Sequence, residues 1–196
     1  MIKNIGIIPT IIKRRNCINL LIDSNLIIFL KKCFPGYNIQ LLTDKKETKN
    51  NFSLFVSSGG NSIVSFDRGD ANKCRKLLDD HFFKYALKKN IPYLGICHGA
   101  QHIANYFGST IVKKKNHTNT NHLIFFKSST KSQNVNSFHD YSIIKLSKKL
   151  NIIAFTKDGS IEAFNHSNKK ILGLMWHPER YKNIKKFDLQ FIKNYL

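Results

Sequence analysis

Acidic side chains are scarce in this chain. Asp and Glu number 12 against 32 Lys and Arg, a formal net charge of +20. Cysteine is scarce too: Cys17, Cys33, Cys74 and Cys97 show no Cys-x-x-Cys spacing. That argues against a zinc ribbon or a disulfide framework and fits a reduced, cytoplasmic setting. No apolar run reaches the ~20 residues a membrane span needs. The apolar start, Met1–Pro9, is too short for a signal peptide and lacks a cleavage pattern, so it reads as a first strand. Neither repeats nor Pro- or Gly-rich linkers interrupt the 196 residues, so one domain, 1–196, is expected. Hydrophobic residues make up 42%, which excludes wholesale disorder.

The charge excess raises the question of nucleic acid. Yet the lysines are scattered, as at Lys13, Lys31, Lys45, Lys73 and Lys169, among many Asn and Ile, as an AT-rich coding bias would leave them. Only Lys113-Lys114-Lys115 is a tight cluster. No nucleic-acid or membrane partner is expected. The same charge better serves capture of an anionic small molecule.

What is present is a thiol in a particular setting. Pro92-Tyr93-Leu94-Gly95-Ile96-Cys97-His98-Gly99-Ala100-Gln101 begins as a buried strand, breaks at Gly-x-Cys-x-Gly and becomes helical. Glycines on either side let neighbouring backbone approach a sharp turn. A helix N-terminus beside the cysteine favours its thiolate. This is the pattern of a nucleophile elbow with Cys97 in place of serine. A second apolar strand, Ile171–Trp176, ends in His177-Pro178-Glu179. A thiol nucleophile needs a base, and the base needs an orienting group; His177 and Glu179 suit those roles. Both segments end predicted parallel strands, where catalytic groups collect.

These motifs resemble those of class I glutamine amidotransferases, and Ser57-Ser58-Gly59-Gly60-Asn61 resembles that family's first glycine turn. The resemblance covers nearly the whole chain. It implies a flavodoxin-like α/β three-layer sandwich with a mostly parallel central sheet. It implies a Cys97 nucleophile, a His177 base and Glu179 as its orienter, with no metal and no organic cofactor. The oxyanion hole would be the backbone N–H groups of Gly60 and His98. Gly59 and Gln101 would face the glutamyl moiety. Val135-Asn136-Ser137-Phe138-His139 and Asp158-Gly159-Ser160-Ile161-Glu162-Ala163 resemble segments of the family's γ-glutamyl hydrolase side. They add Asn136, Ser137 and His139 to the substrate site. That branch implies a stand-alone hydrolase of a γ-glutamyl small molecule, such as a nucleotide-linked γ-glutamyl-CDP-amidate, in surface-polysaccharide biosynthesis. The alternative is a glutaminase subunit with a synthase partner. Relatives often carry Arg at the position of His98 and Asp at that of Ser62.

The remaining pattern sets further expectations. Strands are expected at Lys3–Ile8, Asn38–Leu42, Phe52–Ser57 and Tyr93–Ile96, and helices at Asn19–Cys33, Asp70–Lys89, Gly99–Phe107 and Ile184–Leu196. Thr43–Asn51 reads as a polar connection. Short strands follow at Ile111–Val112, Leu123–Phe126, Tyr141–Leu146, Ile152–Phe155 and Ile161–Phe164. Arg75 and Asp79 are spaced for an intrahelical ion pair. His117 and His122 read as an exposed polar loop or, by resemblance to a His-x-x-Thr-x-His loop of the hydrolase branch, as a substrate loop; no acidic partner or tetrahedral set for a metal is visible beside them. Glu162 reads as a hairpin end without chemistry, and Trp176 and Phe138 as core. Lys113, Lys114, Lys115 and His98 are the expected sources of positive charge near the thiol.

Overall fold

The structure is a computed structural model that describes residues 3–49 and 51–196. Met1 and Ile2 of the expected first strand, and Asn50 of the expected polar connection, lie outside the described residues.

In chain order, β1 (Asn4–Ile8), β2 (Thr10–Arg14) and β3 (Cys17–Leu21) precede α1 (Ser24–Cys33). β4 (Asn38–Leu41) leads through a 3₁₀ turn, Lys45–Lys49, to β5 (Leu54–Ser57). Then come α2 (Asp70–Lys89), β6 (Tyr93–Ile96) and α3 (His98–Tyr106). A run of strands follows: β7 (Thr110–Lys113), β8 (Thr120–Phe126), β9 (Ser132–Ser137), β10 (Tyr141–Lys145), β11 (Leu150–Thr156), β12 (Ile161–His166) and β13 (Ile171–Leu174). The helix α4 (Lys186–Tyr195) comes last.

The sheet runs β4-β1-β5-β6-β13-β12-β11-β8-β9. Its first five strands pair in parallel. From β13 onward every pairing is antiparallel, and β10 and β7 extend it from β12. The parallel strands are apolar on both faces, as a doubly covered sheet requires. Ile5, Val56, Leu94 and Leu172 pack with Leu26, Phe29 and Leu30 of α1 and Phe191 and Ile192 of α4. Phe55, Tyr93 and Ile171 point the other way, toward Phe82 and Phe83 of α2 and Ile103 of α3. The period-two alternation of strand side chains thus divides the interior into two cores, one per helical layer. The architecture is the expected α/β three-layer sandwich with a parallel centre, extended by an antiparallel half.

Helix ends follow local chemistry. Asp23 caps α1 by accepting from the Asn25 N–H, and Lys31 and Lys32 sit in its last turn. The α2 helix matches its expected bounds. It ends on Asn90, whose left-handed backbone lets its N–H reach the Ala86 carbonyl.

One expected element differs. The helix predicted over Asn19–Cys33 starts only at Ser24, because the chain first folds back as the β2–β3 hairpin. Arg14 pairs with Cys17, and Arg15 takes a positive φ of 52° to make the turn. The apolar Asn19–Ile22 stretch carries no glycine turn before it, so it reads as a helix face. Strand β9 was also unforeseen, since its Ser-Gln-Asn start lacks the β-branched signature.

An ion pair lies wholly inside the fold. Arg75 and Asp79 on α2 are both 0% exposed, with Arg75 Nε 2.9 Å from Asp79 Oδ2. The guanidinium also donates to the carbonyls of Pro9 at 2.8 Å and Ser58 at 2.7 Å and to Ser57 Oγ at 2.9 Å. Ser57 Oγ in turn donates to Asp79 Oδ1 at 2.7 Å. Burial would raise the Asp79 carboxyl, but Arg75 and the nearby histidines outweigh it and hold it well below the usual range. Arg75→Met would leave that carboxylate uncompensated. Unfolding free energy from urea titration should fall by about 3–5 kcal/mol; a change under about 1 kcal/mol would mean the pair is solvated.

Candidate active site

Cys97 stands between β6 and α3, at the N-cap of the helix, with φ 50° and ψ −101°. A non-glycine residue at positive φ is held there by its surroundings. Its N–H donates to the Leu174 carbonyl at 2.7 Å, and its own carbonyl accepts from the Gln101 N–H at 2.9 Å. Two residues on, Gly99 lets α3 lie against β5: a Cβ there would sit 2.3 Å from the Ser57 carbonyl oxygen. The elbow read from the sequence is present, with the thiol at the carboxyl end of the central strand.

His177 follows β13 and opens a 3₁₀ turn, Pro178–Arg180, with proline at its start. Its Nδ1 lies 2.7 Å from Glu179 Oε1, and both side chains are buried. A carboxylate partner assigns the Nδ1 proton, which leaves Nε2 for the thiol. The imidazole and the thiol face one cavity across Gly59: a Cβ there would lie 3.4 Å from His177 Nε2 and 3.5 Å from Cys97 Cβ. Burial alone would lower its pKa; the Cys97 and Glu179 side chains overcome that and push it up to about 9. An imidazole so placed can take a thiol proton and return it to a leaving group.

The glycine turn after β5 lies against this pair. A Cβ on Gly59 would fall 2.6 Å from His177 Cε1 and 3.5 Å from Cys97 Cβ. Gly60 has φ 109°, a region closed to side chains. Thr10 Oγ1 holds the turn by donating to the Gly59 carbonyl at 2.7 Å. Among the described residues, neither the Gly60 nor the His98 backbone N–H donates to another group. Both therefore remain available to an oxyanion beside the thiol.

Cys97, Gln101, Phe138, His139, His177 and Arg180 line one cavity, with Gly60, Asn61, Ser62, Asp140 and Tyr141 completing it. Gln101 and His139 both face this cavity, Gln101 donating to the Tyr141 carbonyl at 2.9 Å. Asn136 and Ser137 do not reach it. Asn136 clasps the His177 backbone instead: its Nδ2 donates to the His177 carbonyl and its Oδ1 accepts the His177 N–H, each at 2.8 Å. Ser137 is fully buried and donates to the His117 carbonyl. Both residues support the site's walls.

Charge is corrected as well. Lys114 is engaged by Asp158 at 3.0 Å and Ser160 Oγ at 3.0 Å, and none of Lys113, Lys114 and Lys115 lines the cavity. The His98 ring points away from the thiol, 2.8 Å from the Asn61 carbonyl and 3.0 Å from Asp79 Oδ2. Burial and the Arg75 charge lower its pKa, so it adds no dependable cation. The basic group on the cavity is Arg180, which the sequence reading missed. It stacks over Phe138, 5.0 Å from the ring centroid. Phe138 is no core residue either; it meets the His177 ring edge-on at 5.6 Å. Proximity to His177-Pro178-Glu179 in sequence was the available signal for Arg180.

Trp176 is core as expected, its indole donating to Asp188 at 2.9 Å. Burial raises Asp188 to about 6. Burial pushes the Cys33 thiol up to about 11, which keeps it a thiol. Glu162 is not a hairpin end. It lies fully buried in β12 and faces His117, His122 and His139.

Several known proteins are similar to this chain in sequence or in fold. A γ-glutamyl-CDP-amidate hydrolase of Campylobacter jejuni is 36% identical over 85% of this chain and 80% of its own length. A GMP synthase of Borreliella burgdorferi is 32% identical over 84% of this chain, which spans only 30% of that protein. A solved glutamine amidotransferase from Thermotoga maritima superposes with a TM-score of 0.63, at 20% identity, over 98% of this chain and 83% of that one. A solved candidate GMP synthase subunit from Thermoplasma acidophilum gives 0.73, also at 20% identity, over 100% and 92%. No described helix is long and apolar enough to cross a membrane. Residues 37–195 match the family described as glutamine amidotransferase class-I, a family of cysteine-dependent amidotransferases and hydrolases, and the chain belongs to it.

Proposed function

We propose that this protein hydrolyses a γ-glutamyl amide through a thioester on Cys97, acting as a single-domain, stand-alone hydrolase. The observation that carries the reading is that Cys97 shares one cavity with a buried His177 that Glu179 holds at 2.7 Å. His177 already holds the thiol proton as the thiolate sulfur attacks the γ-carbonyl carbon. The Gly60 and His98 N–H groups receive the oxyanion. Collapse breaks the C–N bond, and the His177 proton goes to the departing nitrogen. Water then attacks the thioester, with His177 again as base, and glutamate leaves with the thiol restored.

The substrate is a conjugate whose leaving group carries phosphate, with γ-glutamyl-CDP-amidate the nearest example. Similarity to the Campylobacter hydrolase over most of both chains supports it. Arg180 supplies a cation at the cavity for an anionic group. The cavity measures about 160 Å³, enough for a glutamyl group, with the rest of a nucleotide lying outside it. The likeness to GMP synthases favours a second reading, a glutaminase that delivers ammonia to a synthase partner.

Cys97→Ala should abolish glutamate release while thermal unfolding stays near that of the parent. His177→Ala should cost about 10²–10⁴-fold or more, and Glu179→Gln less, since it only orients the base. Trapping of a glutamyl adduct on the parent, absent from Cys97→Ala, checks the covalent step by mass spectrometry.

His177 stays protonated up to a pKa of about 9, and the leaving nitrogen needs that proton. The pH profile of kcat should therefore fall off near pH 9. In Glu179→Gln the limb should move to lower pH, because a group that raises the imidazole is gone. An unmoved limb would assign it to another residue.

Glutamate release from the purified chain separates the two readings. A nucleotide-linked γ-glutamyl conjugate should turn over with no second protein, with kcat/KM falling as salt rises and falling again in Arg180→Gln; glutamine, without net charge, should show a flat salt dependence. Negligible turnover that rises only with an added synthase would favour the second reading.

A further inference from the structure

The antiparallel half of the sheet holds a second cluster of reactive side chains, away from the thiol. Glu162 on β12 is 0% exposed, and three imidazoles surround it. His117 comes from the β7–β8 connection, His122 from β8 and His139 from the β9–β10 connection. His117 Nδ1 lies 3.8 Å from Glu162 Oε1, His122 Nε2 3.3 Å from Oε2, and His139 Nε2 3.4 Å from Oε1. One ligand atom each from His117, His122 and Glu162 fits within 4.8 Å of the others.

The cluster is unsatisfied as it stands. Both Glu162 oxygens, His117 Nδ1, His122 Nε2 and both nitrogens of His139 are buried without a hydrogen bond. Such orphans are costly and call for an explanation. His117 is the most telling. Its Nε2 is 2.9 Å from Asp158 Oδ2, a partner that can only accept, so the ring proton sits there. That leaves a lone pair on Nδ1 directed toward a carboxylate. Two acceptors facing each other across a buried gap repel unless a cation lies between them. Protonated imidazoles would instead close on the carboxylate at about 2.7–2.9 Å. Ligand atoms about 2.0–2.1 Å from a tetrahedral ion stand about 3.3–3.4 Å apart, close to the separations of His122 and His139 from Glu162.

We propose that His117 through Nδ1, His122 through Nε2 and Glu162 bind a divalent cation of the zinc class, with a fourth position left open and His139 beside Glu162. Imidazole and carboxylate donors in this number suit zinc better than the oxygen-seeking calcium or magnesium. The outer partners are in place too. Asp158 receives the His117 Nε2–H and is itself held by Thr156, Ser160 and Lys114, the arrangement that orients a metal-bound histidine. The ion would tie β8 and β12 to the segment that carries Asn136 and His139, one clasping the base and the other lining the cavity. The site does not depend on the proposed hydrolysis.

The test uses the full chain in a Cys97→Ala background, so that the thiol cannot bind metal. The protein is stripped with chelator, equilibrated with zinc, desalted and assayed by elemental analysis and calorimetry. One zinc per chain is expected, a raised thermal midpoint that chelator reverses, and a four-coordinate visible spectrum when cobalt replaces zinc. Glu162→Gln, which keeps its shape, and His122→Ala should lose the bound ion. Asp158→Asn should weaken it by about 10–100-fold. Folded protein that retains no zinc, or equal zinc in Glu162→Gln, would overturn the site.

Discussion

A single buried guanidinium holds the catalytic half of this molecule in shape. Arg75 reaches the carbonyls of Pro9 and Ser58 and the Ser57 hydroxyl, while its partner Asp79 reaches His98. The strand end that precedes the glycine turn and the residue that follows the thiol are thus fixed to one charge. Such a pair is costly to desolvate, and hydrophobic residues of similar volume would often stabilise a core as well. What the ionic arrangement supplies is direction: five donors in a rigid fork set several loops at once. The glycine turn and the start of α3 are both tied to that fork.

The base is positioned from the other side. His177 lies beyond β13, where the parallel and antiparallel halves of the sheet meet, and Asn136 from the antiparallel half grips its backbone at both polar atoms. The thiol belongs to one half and the clamp on its base to the other. The cavity between them is walled by Gly60 and Gln101 on the first side and by Phe138 and His139 on the second. The walls of one cavity are in this way contributed by both halves of one continuous sheet.

Much of this was legible in the chain. Short patterns that depend on neighbours in sequence came through: the strand-turn-helix around Cys97, the His177-Pro178-Glu179 turn, and an α2 whose apolar spacing and Asn90 stop are local signals. Atom-level partners did not. Asn136 and Ser137 sit in a motif that marks the right place, but a motif does not say which atoms they meet, and both proved to support backbone. Lys114 illustrates the same gap, since Asp158 lies 44 residues away in sequence. Glu162 and its histidines come together only through long-range antiparallel pairing, so no window of sequence contains them. The β2–β3 hairpin hid for another reason: its turn uses Arg15 at positive φ where glycine or asparagine would have announced it.

The place of β13 in the sheet has a bearing on how the chain is made. It is the last strand in sequence, yet it sits between β6 and β12, in the middle of the order. Until it emerges from the ribosome, β6 presents a free edge whose residues Tyr93, Leu94 and Ile96 are meant for full burial. An open apolar edge of this kind invites pairing with other chains. The nascent protein also carries Cys97 with no imidazole beside it, because His177 arrives three residues after the strand that completes the sheet. Closing the sheet and bringing His177 to Cys97 therefore wait on the same stretch of chain.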